Sequence, residues 1–289
     1  MGRTEGMPVG TGMDGAASAR AGLGKRVAST LVLLPIFVWI VVAAPAWVYG
    51  VMVVGVAALG QWEFTGMFER AGIRTFRVVG LVAGTVLTAS FGVGALDPPV
   101  ALTFVVLSLL AASLHRLRSE RAAWEPLAVT ALGICYVNWL LGYGFWLYRL
   151  EAGTDWVLLL VWVTWLGETA AYAIGSLLGR RKLAPALSPK KTVEGALAQL
   201  AVSVVAGVAA GAWFFPGLTA LQACAIGLVL GIAGQVGDLA ESALKRSVGA
   251  KDAGHLIPGH GGILDRIDGL LFNTPVLFYY ASYGRTLHS

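Results

Sequence analysis

Two segments of this chain gather the residue types that hold phosphate and metal. The denser begins Gly237-Asp238-Leu239-Ala240-Glu241-Ser242-Ala243-Leu244-Lys245-Arg246 and continues through Lys251-Asp252. It ends in Ile257-Pro258-Gly259-His260-Gly261-Gly262-Ile263-Leu264-Asp265-Arg266-Ile267-Asp268-Gly269. Asp238 and Glu241 are three residues apart, as are Asp265 and Asp268, so on helices each pair shares a face. Carboxylates on two helix ends, beside Lys245, Arg246, Lys251 and Arg266, meet the needs of a nucleotide–metal site. Mg2+ takes one or two carboxylates and completes its shell with substrate phosphates and water. Lys and Arg neutralise the remaining phosphate charge, and glycines admit a close backbone. Acid–base pairs that merely tie two helix ends together would explain one such pair. They do not explain His260-Gly261-Gly262 beside Asp265-Arg266-Ile267-Asp268.

The second segment runs Gly179-Arg180-Arg181-Lys182, then Leu187-Ser188-Pro189-Lys190-Lys191-Thr192-Val193-Glu194-Gly195. Pro189 stops an incoming helix, and Thr192 suits the N-cap of the next one. Two lysines, the Ser188 and Thr192 hydroxyls and free amides at a helix start make a phosphate site. A basic membrane edge meeting lipid headgroups competes with that reading, and the loop alone does not decide between them. On a helix start, Lys190 and Lys191 point about 100° apart, so one of them should matter more for a phosphate. No Gly-x-x-x-x-Gly-Lys-Ser/Thr run is present, so a P-loop is not the phosphate cradle.

The elements that carry these residues are membrane helices. Of 289 residues, 57% are hydrophobic and 13% charged, against about 25% charged in soluble domains. A chain of this size keeps a large wetted surface, so one core cannot absorb the difference. Long apolar runs point instead to an all-α, polytopic integral membrane protein. A soluble enzyme, a disordered chain and a disulfide scaffold are excluded; Cys135 and Cys224 lie in apolar runs without ligand neighbours. About nine spans are expected, near 27–43, 46–64, 77–95, 98–114, 126–148, 156–178, 195–214, 218–239 and 267–283. Residues 1–24 read as a disordered tail, 25–150 as spans 1–5, and 151–289 as a catalytic region of spans 6–9 with its loops. Glycine pairs four apart (Gly80 and Gly84, Gly207 and Gly211, Gly227 and Gly231) suit close helix packing.

With the N-terminus in the cytoplasm, every Lys and Arg except Arg149 and Arg285 falls on the inner side. The net charge of +5 therefore serves topology rather than a nucleic-acid partner, and Arg70, Arg74, Arg116, Arg118 and Arg121 read as topology alone. Span 6 runs inward, which sets Glu168 roughly 15 Å deep, in a polar cavity open to the cytoplasm and sideways to lipid.

The stretch from Ser242 to Asp268 resembles the signature of the phosphatidate cytidylyltransferase (CDP-diacylglycerol synthase) family. That signature reads Ser-x-aliphatic-Lys-Arg, four residues, Lys-Asp, a Pro-x-His-Gly-Gly turn, then Asp-Arg-x-Asp. Ser242, Lys245, Arg246, Lys251, Asp252, Pro258, His260, Gly261, Gly262, Asp265, Arg266 and Asp268 meet it. Ser188-Pro189-Lys190-Lys191-Thr192-x-Glu194-Gly195 is similar to a second family motif, and Gly237-Asp238 to a third. Two positions depart from the pattern. Glu168-Thr169-Ala170-Ala171-Tyr172 stands where relatives carry Asp-Thr-Gly-Ala-Tyr, and Val193 stands where many carry an aromatic residue.

The resemblance implies a nucleotidyltransferase of the cell membrane, facing the cytoplasm, that turns CTP and phosphatidic acid into CDP-diacylglycerol and pyrophosphate. It implies Mg2+ held by Asp238 and Asp265, leaves a second cation open, and suggests a homodimer. Asp268 and Glu241 would support the ligands. Lys190, Lys191, Lys245, Arg246, Lys251 and Arg266 would share the phosphates, with Ser188 and Thr192 beside them. His260, Gly261 and Gly262 would shape a phosphate-contacting turn, the histidine in a catalytic or a structural role. Two rivals remain: a related CTP-dependent enzyme acting on a polyprenol or ether-lipid phosphate, and an anion transporter. A transporter would carry paired halves and mid-membrane charge, whereas here no internal repeat is evident and the charge gathers at one face.

Overall fold

The computed structural model describes residues 32–117, 124–254, 256 and 261–283. The tail 1–24, Lys25, Arg26, Arg118, Arg121, His260 and Arg285 lie outside the described residues, as do the side chains of 115–117. Where the sequence runs apolar, the backbone satisfies its own polar groups as helix, which is what lipid demands. Among the described residues the helices are α1 (Val32–Val42), α2 (Ala46–Arg70), α3 (Arg77–Ser90), α4 (Pro98–Leu117) and α5 (Trp124–Arg149). They continue as α6 (Gly153–Leu178), α7 (Val193–Trp213), α8 (Ala220–Ser247) and α9 (Leu264–Tyr283). Five of them, α2, α5, α6, α7 and α8, are long and apolar enough to cross a membrane. The apolar helices Val32–Val42, Arg77–Ser90 and Pro98–Leu114 are shorter, and α9 opens with Asp265, Arg266 and Asp268. Among the described residues the chain is an all-α membrane protein apart from one hairpin.

That hairpin replaces the loop expected before α7. β1 (Lys182–Ala184) and β2 (Ser188–Thr192) pair antiparallel, with Lys182 opposite Thr192 and Ala184 opposite Ser188. Thr192 then caps α7 as expected, its side chain accepting from the Gly195 amide at 3.1 Å.

Helices α6, α7 and α8 pack in sequence, and α9 returns against α8, α5 and α6. On the other side α3 lies between α2 and α4. One hydrophobic core, with Tyr49, Phe64, Trp156, Phe215, Leu230 and Leu271, joins the early helices to the late ones. A smaller cluster around Leu87, Phe91, Val105 and Tyr143 fills the space between α3, α4 and α5. Within α5 the segment Ile134–Trp139 is a π-helix. It carries Asn138, whose Nδ2 donates to Gln61 Oε1 at 3.1 Å while its Oδ1 accepts from the Thr88 hydroxyl at 3.1 Å. Amide groups this deep need such partners, since an unpaired one costs several kcal/mol in hydrocarbon.

The glycine pairs are packing faces. A Cβ at Gly207 would stand 2.4 Å from the Ala223 carbonyl oxygen, and one at Gly227 would stand 2.4 Å from the Ser203 carbonyl oxygen. Backbone on backbone leaves no room to adjust, so overpacking here costs about 1–3 kcal/mol. Gly227→Val should therefore lower the thermal midpoint in detergent by several degrees. Gly55→Ala, with nothing within 4 Å of the added carbon, should leave it unchanged.

Candidate functional site

Helix α8 presents Asp238 and Glu241 one turn apart, and α9 brings Asp268 against them. The approach is close because residue 237 is glycine: a Cβ there would lie 2.7 Å from the Asp268 carbonyl oxygen. Each of the three carboxylates offers an oxygen within 4.8 Å of the others. Glu241 is 1% and Asp268 7% exposed, so water screens neither well. Two cations compensate in part. Lys191 Nζ lies 2.7 Å from Asp238 and Lys245 Nζ 3.0 Å from Glu241. Glu241 Oε1 is buried with no hydrogen-bond partner among the described residues. Three crowded carboxylates with a spare buried acceptor fit a hard divalent cation, which prefers oxygen ligands.

Asp265 falls outside that group. Lys245 Nζ bridges to it at 2.8 Å, and its oxygens also accept from the amides of Gly262 at 2.9 Å and Ala253 at 3.1 Å. Burial alone would push the Asp265 carboxyl up. The Lys245 ammonium and the two amides outweigh this and hold it below the usual carboxylate range. The expectation paired Asp238 with Asp265; the structure pairs Asp238 with Glu241 and Asp268. The difference follows from the amides of Ala253 and Gly262, which both donate to Asp265. Gly261, next to one of these amides, takes a left-handed φ of +83°, which glycine adopts without strain.

The hairpin brings a second set of groups to the same end of the bundle. A cavity of about 570 Å³ is lined by Glu168, Lys182, Lys190, Lys191, Thr192 and Asp238, among others. Successive strand residues face opposite ways. Lys191 turns inward to Asp238, while Lys190 is exposed at the rim; this corrects the helix-start geometry expected for the pair. Glu194 holds the hairpin's origin, its carboxylate accepting from the amides of Arg180 at 3.1 Å and Arg181 at 3.2 Å. Gly195 is required because a Cβ would come within 2.7 Å of the Ala171 carbonyl oxygen. Glu168 lines the cavity as expected. A Cβ at Gly269 would lie 2.3 Å from Glu168 Oε1, so glycine in α9 makes room for the longer acid.

Other expected contacts lie elsewhere. Arg246 is anchored to backbone, with Nε donating to the Leu187 carbonyl and Nη1 to the Ala250 carbonyl, each at 3.1 Å. It braces the hairpin turn against the end of α8. Lys251 and Arg266 are exposed, and Ser188 lies at the start of β2 outside the cavity lining. Sequence reasoning missed Glu63 and undervalued Arg70, both on α2. Glu63 Oε2 accepts from the Leu264 amide at 2.9 Å, and Arg70 Nη2 donates to the Ala253 carbonyl at 2.5 Å. The available signal was an acid inside an apolar span, which is rarely placed there idly.

Fold and site together define a helical membrane protein with an acid–base centre at one end of its bundle. The chain belongs to the cytidylyltransferase family, whose sequence model matches residues 24–283. It is 36% identical over 186 residues to the phosphatidate cytidylyltransferase of Staphylococcus aureus (strain COL), covering 62% of this chain and 66% of that protein. It is 35% identical over 178 residues to the phosphatidate cytidylyltransferase of Staphylococcus haemolyticus, with the same coverage. It is also 41% identical over 155 residues to the uncharacterized protein YnbB of Escherichia coli (strain K12), covering 54% and 51% of the two chains. The chain thus spans between about half and two thirds of the length of these curated relatives.

The two hairpin lysines should separate in assays. A charged hydrogen bond to phosphate is worth about 1.5–3 kcal/mol, or roughly 10–150-fold. Lys191→Ala should weaken nucleotide binding by at least roughly tenfold, insensitive to added salt. Lys190→Ala should lose a few-fold at most, with the loss modulated by salt and anionic lipid. The reverse order would remove Lys191 from the phosphate-binding set.

Proposed function

We propose that the chain is a CTP:phosphatidate cytidylyltransferase, transferring the cytidylyl group of CTP to phosphatidic acid and releasing pyrophosphate. The observation that carries this reading is the Lys191–Asp238 contact, which joins a lysine-lined cavity to a group of three carboxylates, two of them buried. A polyanion and a cation-requiring acidic group then share one place. Family membership and the names of the relatives support the same chemistry.

Under this reading the lipid phosphate, already anionic at neutral pH, is the nucleophile, and no strong general base is needed. One of its oxygens bonds to the α-phosphorus of CTP as the bond to the α–β bridging oxygen breaks. Pyrophosphate leaves with that electron pair. The barrier lies in bringing two polyanions together, so positioning and charge stabilisation supply most of the acceleration. Asp238, Asp268 and Glu241 would hold a divalent cation, Mg2+ by the chemistry of its oxygen ligands, which when bound supplies the positive charge that both phosphates require. Lys191, Lys190 and Lys182 line the cavity that would take the triphosphate, and Lys245 stands between Glu241 and Asp265. Residues 151–289 then carry the chemistry on the cytoplasmic side, a side supported by where the basic residues concentrate.

Purified protein in detergent, given radiolabelled CTP, phosphatidate and Mg2+, should move label into the lipid phase and stop when any component or the metal is withheld. Asp238→Asn and Asp268→Asn should each cost on the order of 100-fold while the protein still purifies as a folded species. Label transfer to a polyprenol phosphate but not to phosphatidate would assign a different acceptor.

A further inference from the structure

Glu63 is a carboxylate on an apolar helix, 3% exposed and far in sequence from every residue of the site. Its Oε2 accepts from the amide of Leu264, the first residue of α9. The opening amides of a helix have no partner within it, so α9 is capped by a side chain from α2. Both strands of the loop's base touch the same carboxylate. A Cβ at Gly254 would lie 2.3 Å from Glu63 Oε1, and one at Gly262 would lie 2.4 Å from Oε2. Arg70, two turns further along the same face of α2, donates to the Ala253 carbonyl. Asp265 holds that base from the other side through the Ala253 and Gly262 amides. The loop between α8 and α9 is thus clamped at its neck by one carboxylate from each end of the chain.

We propose that Glu63 is a positioning residue for the reaction described above, on which this inference rests. By capping α9 and gripping Gly254 and Gly262, it sets where Asp268 meets Asp238 and Glu241, and where Asp265 meets Lys245. Oε1 is buried with no hydrogen-bond partner among the described residues, so the cap rests on Oε2, an acceptor that the amide oxygen of glutamine can also supply. Glu63→Ala therefore removes both the cap and the packing against Gly254 and Gly262, whereas Glu63→Gln keeps the volume and an acceptor for the cap.

The test combines kinetics with amide hydrogen exchange on full-length protein in detergent. Against Glu63→Gln, which should stay within a few-fold of wild type, Glu63→Ala should lower kcat by roughly tenfold or more, with KM for CTP and phosphatidate changed little. Its exchange should quicken in peptides covering 253–254 and 261–268, while peptides from α6 and α7 keep wild-type rates. Gly254→Ala should reproduce the kcat loss by displacing the carboxylate. The double variant with Glu63→Ala should be no worse than Glu63→Ala alone, because the group struck by the new methyl is gone. Wild-type kcat in Glu63→Ala, uniform loosening of all helices, or additive losses in the double variant would each overturn the proposal. Absence of label transfer by the wild-type protein would instead defeat the proposed function, leaving the exchange pattern to judge the clamp alone.

Discussion

The Lys245 ammonium, held between Glu241 and Asp265, is the contact on which the site's assembly depends. Two like unit charges about 4 Å apart repel by about 4 kcal/mol at an effective dielectric near 20. Asp238, Glu241 and Asp268 crowd within 4.8 Å, and Asp265 adds a fourth negative charge nearby. Cations between them lower the cost of bringing these acids together where α8 meets α9. Lys245 and Lys191 offset part of that charge and leave the remainder as attraction for a further cation. Buried ion pairs of this kind add little net stability against apolar replacements. Their value here is to fix which groups meet.

Each motif segment secures another. Thr192 and Glu194 set the hairpin on α7, Arg246 ties its turn to the end of α8, and Lys191 reaches across to Asp238. Asp265 and Glu63 close the neck of the following loop. Glycine permits the remaining approaches, at 195 against α6, at 237 against α9 and at 269 beside Glu168. Arg246 and Asp265 of the Ser242–Asp268 signature therefore hold backbone, while the hairpin and Asp238 line the cavity.

Much of the architecture was legible because lipid imposes a simple rule on sequence. Apolar runs between charged or Gly/Pro breaks became helices close to where hydropathy put them, and Thr192 capped the helix it preceded. The hairpin was hidden, since five strand residues with a proline look like a loop and pairing is a non-local property. The partition of acids was hidden for a related reason. Spacing shows that Asp265 and Asp268 share a face, but not that two loop amides and Lys245 occupy one of them. Glu63 was visible as a charged residue in an apolar span, yet its partner lay 201 residues away.

The central claim is that Asp238, Glu241 and Asp268 form the cation site while Asp265 serves Lys245 and the loop. Electron paramagnetic resonance with Mn2+ as the probe, on purified protein in detergent, tests it most directly. The account predicts saturable Mn2+ binding in the wild type that is lost in Asp268→Asn and retained in Asp265→Asn. Binding that survives Asp268→Asn but disappears in Asp265→Asn would contradict it.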